Sequence, residues 1–258
     1  MQKIGINGFE LNYESTGRGN VVLLLHAMGM DHEEWKYQVP TLSKHFNVIA
    51  CDLRGHGESS KEEPGKFSIE LLATDIERLL TQLGVSKMHL VGHSLGGMVA
   101  CYFAVKHPEV LKSLVLMGVP FQRVPPSMSI MLALMPLMVQ IYSPEKIGKM
   151  GVSQMCYNTT EEKIQMHMDK GRKAGKATWV GDAKVVKSFY MPQELFSLSI
   201  PVLLVYGETD IMKKDAGKLQ NAILNSKLVF IPKAGHAMQI DNPEEVNKVL
   251  FEFLLSND

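Results

Sequence analysis

The alternation of short apolar runs with amphipathic stretches most constrains the fold of this chain. A continuous apolar run such as Val21–Leu25 is typical of a strand that is buried on both faces, and residues 88–91 form a further predicted strand. Ile69–Leu83 instead carries its apolar residues at helical spacing, and Gly84 then ends the pattern. Strands that alternate with helices build βαβ units. The sequence therefore predicts an α/β fold with a mostly parallel, doubly wound sheet.

The first residues follow a different pattern from the rest of the chain. Asn7-Gly8 lies between two runs with alternating apolar residues, 4–6 and 9–13, which is a strong signal for a hairpin. We therefore expect two N-terminal antiparallel strands. The other predicted strands lie at 46–51, Leu111–Met117, 201–206 and 228–231. The other predicted helices lie at 33–44, Leu95–Lys106, 216–224 and Pro243–Leu255.

The alternation stops between residues 121 and 196. This segment has no strand-like run and holds nine of the 17 methionines. We expect it to form a helical cap inserted into a core of residues 1–120 and 197–258. Four of the methionines fall at helical spacing, and this pattern fits two interpretations equally well. The flexible, polarizable side chains could line an adaptable apolar pocket, or they could pack the cap against the sheet. The four are Met128, Met131, Met135 and Met138.

Composition bears on partners and compartment. Lys and Arg total 27 and so do Asp and Glu, which argues against binding driven by phosphate neutralisation, and we expect no nucleic-acid partner. Cys51, Cys101 and Cys156 fit no metal-ligand spacing, so we expect buried thiols in a reducing compartment. The N-terminus lacks the apolar region of a signal peptide, and no apolar run approaches the roughly 20 residues of a membrane span. These features predict a cytoplasmic protein without a membrane span.

The segment Gly92-His93-Ser94-Leu95-Gly96 fits the pattern G-x-S-x-G. It directly follows a predicted strand and directly precedes the predicted helix that begins at Leu95. In that context the serine sits on a strained strand-to-helix turn, with its Oγ at the carboxyl edge of the sheet. The flanking glycines allow the sharp turn, and the Leu95 N–H at the helix N-terminus can donate to a developing oxyanion. The motif predicts Ser94 as a nucleophile.

Several motifs, each at the end of a predicted strand, resemble those of the α/β-hydrolase superfamily. They are Leu-His-Ala-Met-Gly at 25–29, Asp-Leu-Arg-Gly-His-Gly-Glu-Ser at 52–59, Gly-His-Ser-Leu-Gly-Gly at 92–97, Tyr-Gly-Glu-Thr-Asp at 206–210, and Gly-His at 235–236. The resemblance covers nearly the whole chain. It implies the α/β-hydrolase fold with a helical cap and a carboxylesterase-like serine hydrolase, with no metal and no cofactor. We interpret 52–59 as architectural.

The same resemblance implies a catalytic triad in the chain order nucleophile, acid, histidine. Ser94, Asp210 and His236 follow that order. A serine hydroxyl needs a base to remove its proton, and the base should be a histidine that a carboxylate holds in place. Asp210 lies three residues after Gly207, which is the position that matches the family.

Other residues near these positions compete for the same roles. Asp215 and Asp241 each lie just before a predicted helix, where an aspartate commonly caps the first turn. Glu208 lies two residues too early to match the family's acid. His93 is adjacent to the serine, but successive side chains at such a turn point apart. We therefore expect His93 to be structural.

The oxyanion hole needs two backbone donors. One is the Leu95 N–H, and by position in the resemblance the other is the Met28 N–H. The family commonly has His-Gly before this donor, whereas this chain has His26-Ala27. Ala27 narrows the allowed backbone conformations of the loop. We expect His26 to be structural, with hydrogen bonds beneath the loop. If the cap methionines line a pocket, Met28, Leu95 and these methionines would make it an apolar acyl pocket.

The predicted activity is hydrolysis of a carboxylic ester of a small or medium apolar substrate. The resemblance implies haloalkane or epoxide hydrolysis where an aspartate stands at the turn, and Ser94 argues against both. A carbon–carbon bond hydrolase, a lactonase and a cofactor-free perhydrolase would use the same triad. A small-ligand receptor that retains the triad is the non-enzymatic alternative, because a fold does not fix a function.

Overall fold

In the computed structural model, which describes residues 1–6, 8–61 and 67–258, eight strands form one sheet. The strands are β1 (Gln2–Ile6), β2 (Phe9–Gly17), β3 (Val21–Leu25), β4 (Asn47–Cys51), β5 (Met88–His93), β6 (Leu111–Met117), β7 (Val202–Gly207) and β8 (Ser226–Ile231). Their order is β1-β2-β4-β3-β5-β6-β7-β8. β2 is antiparallel to β1 and to β4. The other six strands, β3 to β8, are parallel to their neighbours among one another. The predicted sheet is confirmed, although Asn7 of the hairpin turn lies outside the described residues.

Helices connect the strands. They are α1 (Val39–Leu42), α2 (Ile69–Leu83), α3 (Leu95–Lys106), α4 (Pro126–Ala133), α5 (Met135–Ile141), α6 (Pro144–Met155), α7 (Glu161–Ser188), α8 (Ala216–Ala222), α9 (Met238–Asp241) and α10 (Pro243–Leu255). The single helix expected over 33–44 is wrong. A short 3-10 helix spans His32–Trp35, and α1 follows it after a break. Pro40 has no N–H to bond back one turn, so it starts α1 instead of continuing the earlier helix.

The core lies on both faces of the sheet, which explains the uninterrupted apolar runs. Along β3, Leu23 and Leu25 pack with residues of α2 and α3 on one face. Val22 and Leu24 pack with residues of α1 and α10 on the other. Because successive side chains of a strand point to opposite faces, a strand covered on both faces has no position that faces solvent.

Four helices, α4 to α7, lie between β6 and β7 in the chain, where the sequence predicted no strand. α7 contacts α3, α4, α5 and α6. Its helical geometry is interrupted at Gly175, which has a φ of 78°. None of the helices in the described ranges combines the length and apolarity that spanning a bilayer requires.

Buried ion pairs join α7 to the loops at the carboxyl edge of the sheet. His56 Nε2 lies 2.8 Å from Asp182 Oδ2, and both side chains are inaccessible to solvent. Burial lowers the pKa of His56, but the Asp182 carboxylate raises it by more, so the net shift is upward. Lys170 pairs with Asp31 at 3.0 Å and also with Glu33. Since an unpaired buried charge is costly, these contacts fix α7 over that edge.

The three cysteines are free and buried, as predicted. Burial raises the pKa of each thiol, to about 12 for Cys156. They remain protonated at neutral pH and are therefore weak nucleophiles.

Candidate active site

Ser94 forms the turn between β5 and α3. Its φ of 50° and ψ of −112° are rare for a residue with a side chain, so the backbone here is strained. Gly92 and Gly96 permit the turn, because a Cβ at either position would overlap the backbone of the facing segment. The Ser94 N–H donates to the Met117 carbonyl at 2.9 Å, which ties the turn to β6. The turn therefore holds the serine in one conformation at the carboxyl edge of the sheet.

Asp210 and His236 meet at the same edge, after β7 and β8 respectively. His236 Nδ1 lies 2.9 Å from Asp210 Oδ1, and both side chains are buried. Burial lowers the pKa of His236, but the aspartate carboxylate raises it by more. The pKa of Asp210 falls, because the contribution of His236 and the Met212 N–H outweighs the effect of burial. Nδ1 therefore donates to an ionised carboxylate.

His236 Nε2 has no hydrogen-bond partner in the described part of the chain. Because Nδ1 carries the ring hydrogen in the neutral state, Nε2 then holds a free lone pair. The Ser94 Oγ makes no hydrogen bond within residues 1–6, 8–61 and 67–258, so the structure shows no direct Ser94–His236 bond. Ser94 and Ala237, next to His236, line the same cavity.

A buried carboxylate supports this arrangement from below. Glu34 Oε2 accepts from the Ala27 N–H at 2.8 Å, and Oε1 lies 2.9 Å from both His93 Nδ1 and Gln239 Nε2. Burial raises the pKa of Glu34, but His93 lowers it by more, so the net shift is downward. His93 Nε2 donates to the His236 carbonyl at 2.9 Å. The structural role expected for His93 is thus confirmed, whereas Glu34 and Gln239 escaped sequence reasoning.

The two predicted oxyanion donors come from separate loops. Neither the Met28 N–H nor the Leu95 N–H donates a hydrogen bond to any described residue. His26 fixes the first loop from beneath: Nδ1 donates to the Ala27 carbonyl at 2.8 Å, and Nε2 accepts from the Leu53 N–H at 2.9 Å. Burial lowers the pKa of His26 to about 4, which keeps it neutral. The structural role predicted for His26 is confirmed.

A cavity of about 340 Å³ opens beside Ser94. Its lining is mostly apolar, and the four methionines predicted at helical spacing all belong to it. Leu95 does not line the cavity: its side chain is fully buried in the core, so the pocket that the first interpretation of the methionines implied lacks this side chain. The polar lining comes from Glu34, Ser94, Gln154 and His167. The methionines that line the cavity are Met28, Met30, Met128, Met131, Met135, Met138, Met150 and Met155.

The expected capping role of Asp241 is wrong. Its carboxylate accepts from the Gly235 N–H at 2.8 Å and pairs with Lys163 at 2.6 Å, so it supports the loop before His236. Asn242 caps α10 instead, because its side chain lies one residue closer to the helix. Asp215 occupies the position just before α8, but its carboxylate makes no capping bond.

The 52–59 segment is architectural, as predicted. Asp52 Oδ2 accepts from Asn12 Nδ2 and the Glu58 N–H, each at 2.8 Å. Asp52, His32 and Asp31 also place one potential metal-ligand atom each within 4.8 Å of one another. However, His32 Nδ1 pairs with Asp52 Oδ1 at 2.6 Å, and Lys170 pairs with Asp31. Both carboxylates therefore already have partners within the protein.

Comparison with known proteins defines the class. The family model described as the alpha/beta hydrolase fold matches residues 20–153, more than half of the chain, and the chain belongs to this family. It is similar to bifunctional epoxide hydrolase 2 of Sus scrofa, with 26% identity over 96% of this chain. The match covers 53% of that relative, so this chain spans about half of its length.

Solved structures give the same class. A thermophilic esterase from Thermogutta terrifontis superposes with a TM-score of 0.85 and 29% identity, over 100% of this chain and 99% of that one. An enol-lactonase from Burkholderia xenovorans LB400 superposes with a TM-score of 0.88 over 98% of this chain and 100% of that one. Its 22% identity supports the fold alone.

Proposed function

We propose that this α/β hydrolase cleaves a carboxylic ester of a small or medium apolar substrate, with Ser94, Asp210 and His236 as its triad. The observation that carries the proposal is the buried 2.9 Å contact between His236 and Asp210, beside a strained serine that borders an apolar cavity. The similarity to a thermophilic esterase supports the ester as the substrate class.

The proposed reaction forms and then breaks an acyl-enzyme. His236 Nε2 takes the proton of Ser94 Oγ as the oxygen attacks the ester carbonyl carbon. The Met28 and Leu95 N–H groups stabilise the tetrahedral oxyanion, and Asp210 stabilises the imidazolium. The alcohol leaves with the proton from His236. A water molecule, deprotonated by the same nitrogen, then attacks the acyl group, and the acid is released as Ser94 regains its proton.

The cavity supports the size and polarity of the substrate. At about 340 Å³ it is near the lower end of the range for small-molecule sites, roughly 300–1,000 Å³. Its wall of thioethers can adapt to different acyl shapes. We propose that residues 121–196 form a cap that supplies most of this wall, over a core of 1–120 and 197–258.

The nucleophile separates this proposal from epoxide hydrolysis, although several of the similar proteins bear that name. Ser94 occupies the turn where an aspartate would favour that reaction.

The buried free thiols support a cytoplasmic setting, and the zero net charge supports a small-molecule partner over a nucleic acid.

Steady-state hydrolysis of p-nitrophenyl acetate, butyrate and octanoate tests the proposal. The wild type should turn over, with a chain-length preference that reports the cavity size. Ser94→Ala should lose at least about 10³-fold in kcat. Ser86→Ala, at an exposed serine before β5, is the matched control and should retain full activity.

Retained activity in Ser94→Ala would refute the mechanism, and an inactive wild type would refute the ester substrate. Labelling with a fluorophosphonate, followed by peptide mapping, separates these results. A label on Ser94 without ester turnover would show that the nucleophile is correct and that the bond cleaved is different.

A further inference from the structure

Two polar side chains of the cavity, Gln154 and His167, have no role in the proposed reaction, and of these Gln154 is exposed to solvent whereas His167 is buried. His167 lies on α7 and lines the cavity beside methionine side chains. Among the other polar lining residues, Glu34 already uses both carboxylate oxygens on protein donors. His167 is only 8% exposed, so its ring is held within the wall and is not free in solvent.

The hydrogen bonds of the ring determine its tautomer. His167 Nδ1 lies 2.8 Å from the Lys163 carbonyl of the preceding turn. A carbonyl oxygen can only accept, so Nδ1 carries the hydrogen. Burial lowers the pKa of His167 and outweighs the opposite effects of the hydrogen bond to the Lys163 carbonyl and of the Glu34 and Asp241 carboxylates, so the net shift is downward. The ring is therefore neutral at pH 7, and Nε2 holds a lone pair.

That lone pair has no partner within the described ranges, because the Lys163 bond at Nδ1 is the hydrogen bond that the ring makes there. Nε2 is not completely enclosed by protein atoms, so it keeps access to open space. The space beside this residue is the cavity. A molecule that fills the cavity shields Nε2 from water, and a buried acceptor without a partner costs free energy. A donor on that molecule removes this cost.

We infer that His167 determines specificity: its Nε2 accepts a hydrogen bond from a hydroxyl or N–H group on the substrate, beyond the scissile ester. The substrate class is then a hydroxylated or otherwise donor-bearing carboxylic ester with an apolar remainder. This inference rests on the proposed function, since it assigns a substrate to the same cavity. An apolar side chain would fill the wall equally well but would not select such a donor.

Pairs of esters that differ in one group provide the test. Each pair has a p-nitrophenyl n-alkanoate and the ω-hydroxy ester in which a hydroxyl replaces the terminal methyl, over a graded series of short to medium acyl chains. A second set places the hydroxyl on the alcohol part. The measured quantity is the ratio of kcat/KM for the hydroxyl and methyl members, in the wild type and in His167→Leu. His107→Leu makes the same replacement at a histidine that follows the C-terminal end of α3 and does not line the cavity.

At one chain length, we expect the hydroxyl-to-methyl ratio to fall about threefold to tenfold in His167→Leu, the size of one net hydrogen bond. The methyl esters should keep their rates within about twofold, and His107→Leu should match the wild type. His167→Gln retains an acceptor and should recover part of the ratio. Equal ratios in wild type and His167→Leu at every length would overturn the inference.

Binding separates this inference from the proposed function. Calorimetry on Ser94→Ala with the intact ester pairs measures the same preference without turnover. Suppose that the wild type hydrolyses no ester, but that the Ser94→Ala protein binds the hydroxyl member more tightly than the methyl member. If His167→Leu, added to Ser94→Ala, removes that difference in binding, the inference holds and the ester activity fails. Hydrolysis without any His167-dependent preference would overturn the inference and leave the proposed function standing.

Discussion

Replacement of Gly118 by alanine should uncouple activity from stability. Gly118 follows β6 with a φ of 61°, and a Cβ built there would lie 2.7 Å from His236 Cε1 and 3.1 Å from Asp210 Oδ2. Ordinary contact begins at 3.4 Å, so the imidazole would have to move by about 0.7 Å. Because a misplacement of about 1 Å can cost about 10²-fold in rate, we expect kcat to fall roughly 10- to 100-fold.

Gly84 offers a matched control, because it has a similar φ of 67° but no described heavy atom within 4 Å of the place that an alanine Cβ would occupy. Both alanine variants should lose about 1–2 kcal/mol in the free energy of unfolding from the left-handed backbone alone. Urea melts and kcat for p-nitrophenyl butyrate measure the two effects. If Gly118→Ala lowers kcat no more than Gly84→Ala does, His236 is not the catalytic base.

Three further predictions concern charged groups at the site and beneath it. The kcat/KM for ester hydrolysis should rise with pH through a midpoint above 6.5, because His236 must be neutral to act as a base. Burial lowers the pKa of His236, but the Asp210 carboxylate raises it by more, and a pH profile of kcat/KM measures the result. Asp182→Asn should cost about 3–5 kcal/mol by leaving His56 buried without its anion. Because the pKa of His56 is raised, that loss should be fully present below pH 6.5 and shrink as pH rises through the folded pKa, as urea melts at pH 6 and pH 9 would show. Glu34→Gln should lower kcat about tenfold with little change in KM, since Oε1 of the carboxylate holds His93 and Gln239 in place beneath the loops of the site. Steady-state kinetics tests this, and an equal kcat in the variant and the wild type would contradict the positioning role.

The parts of the site that sequence reasoning could anticipate are those that directly follow a strand. In a parallel sheet, the carboxyl ends of neighbouring strands lie at one edge. Residues that follow β5, β7 and β8 are therefore brought together, however far apart they lie in the chain. This geometry explains why Asp210 and His236, separated by 26 positions, lie close together, whereas the resemblance to the α/β-hydrolase superfamily is what selected these two residues.

The supporting contacts were less predictable. His56 and Asp182 are 126 positions apart, and Glu34 and Gln239 are 205 positions apart. Local patterns assign such polar side chains to the surface, and only tertiary packing makes them buried partners. The break before α1 had a local signal, since Pro40 cannot continue a preceding helix. The role of Asp241 had none, because its donors belong to a loop and to α7.

The thioether wall of the cavity makes its polarity sensitive to oxidants. Methionine is oxidised to a sulfoxide, which is polar, chiral and a strong hydrogen-bond acceptor. Half-exposed Met150 is open to such a reagent, whereas Met135 is almost fully buried. Peroxide would therefore convert the apolar wall stepwise from the outside, and sulfoxide reductases would restore it. The chemical history of the protein would then change which molecules the cavity accepts without any change in its amino-acid sequence.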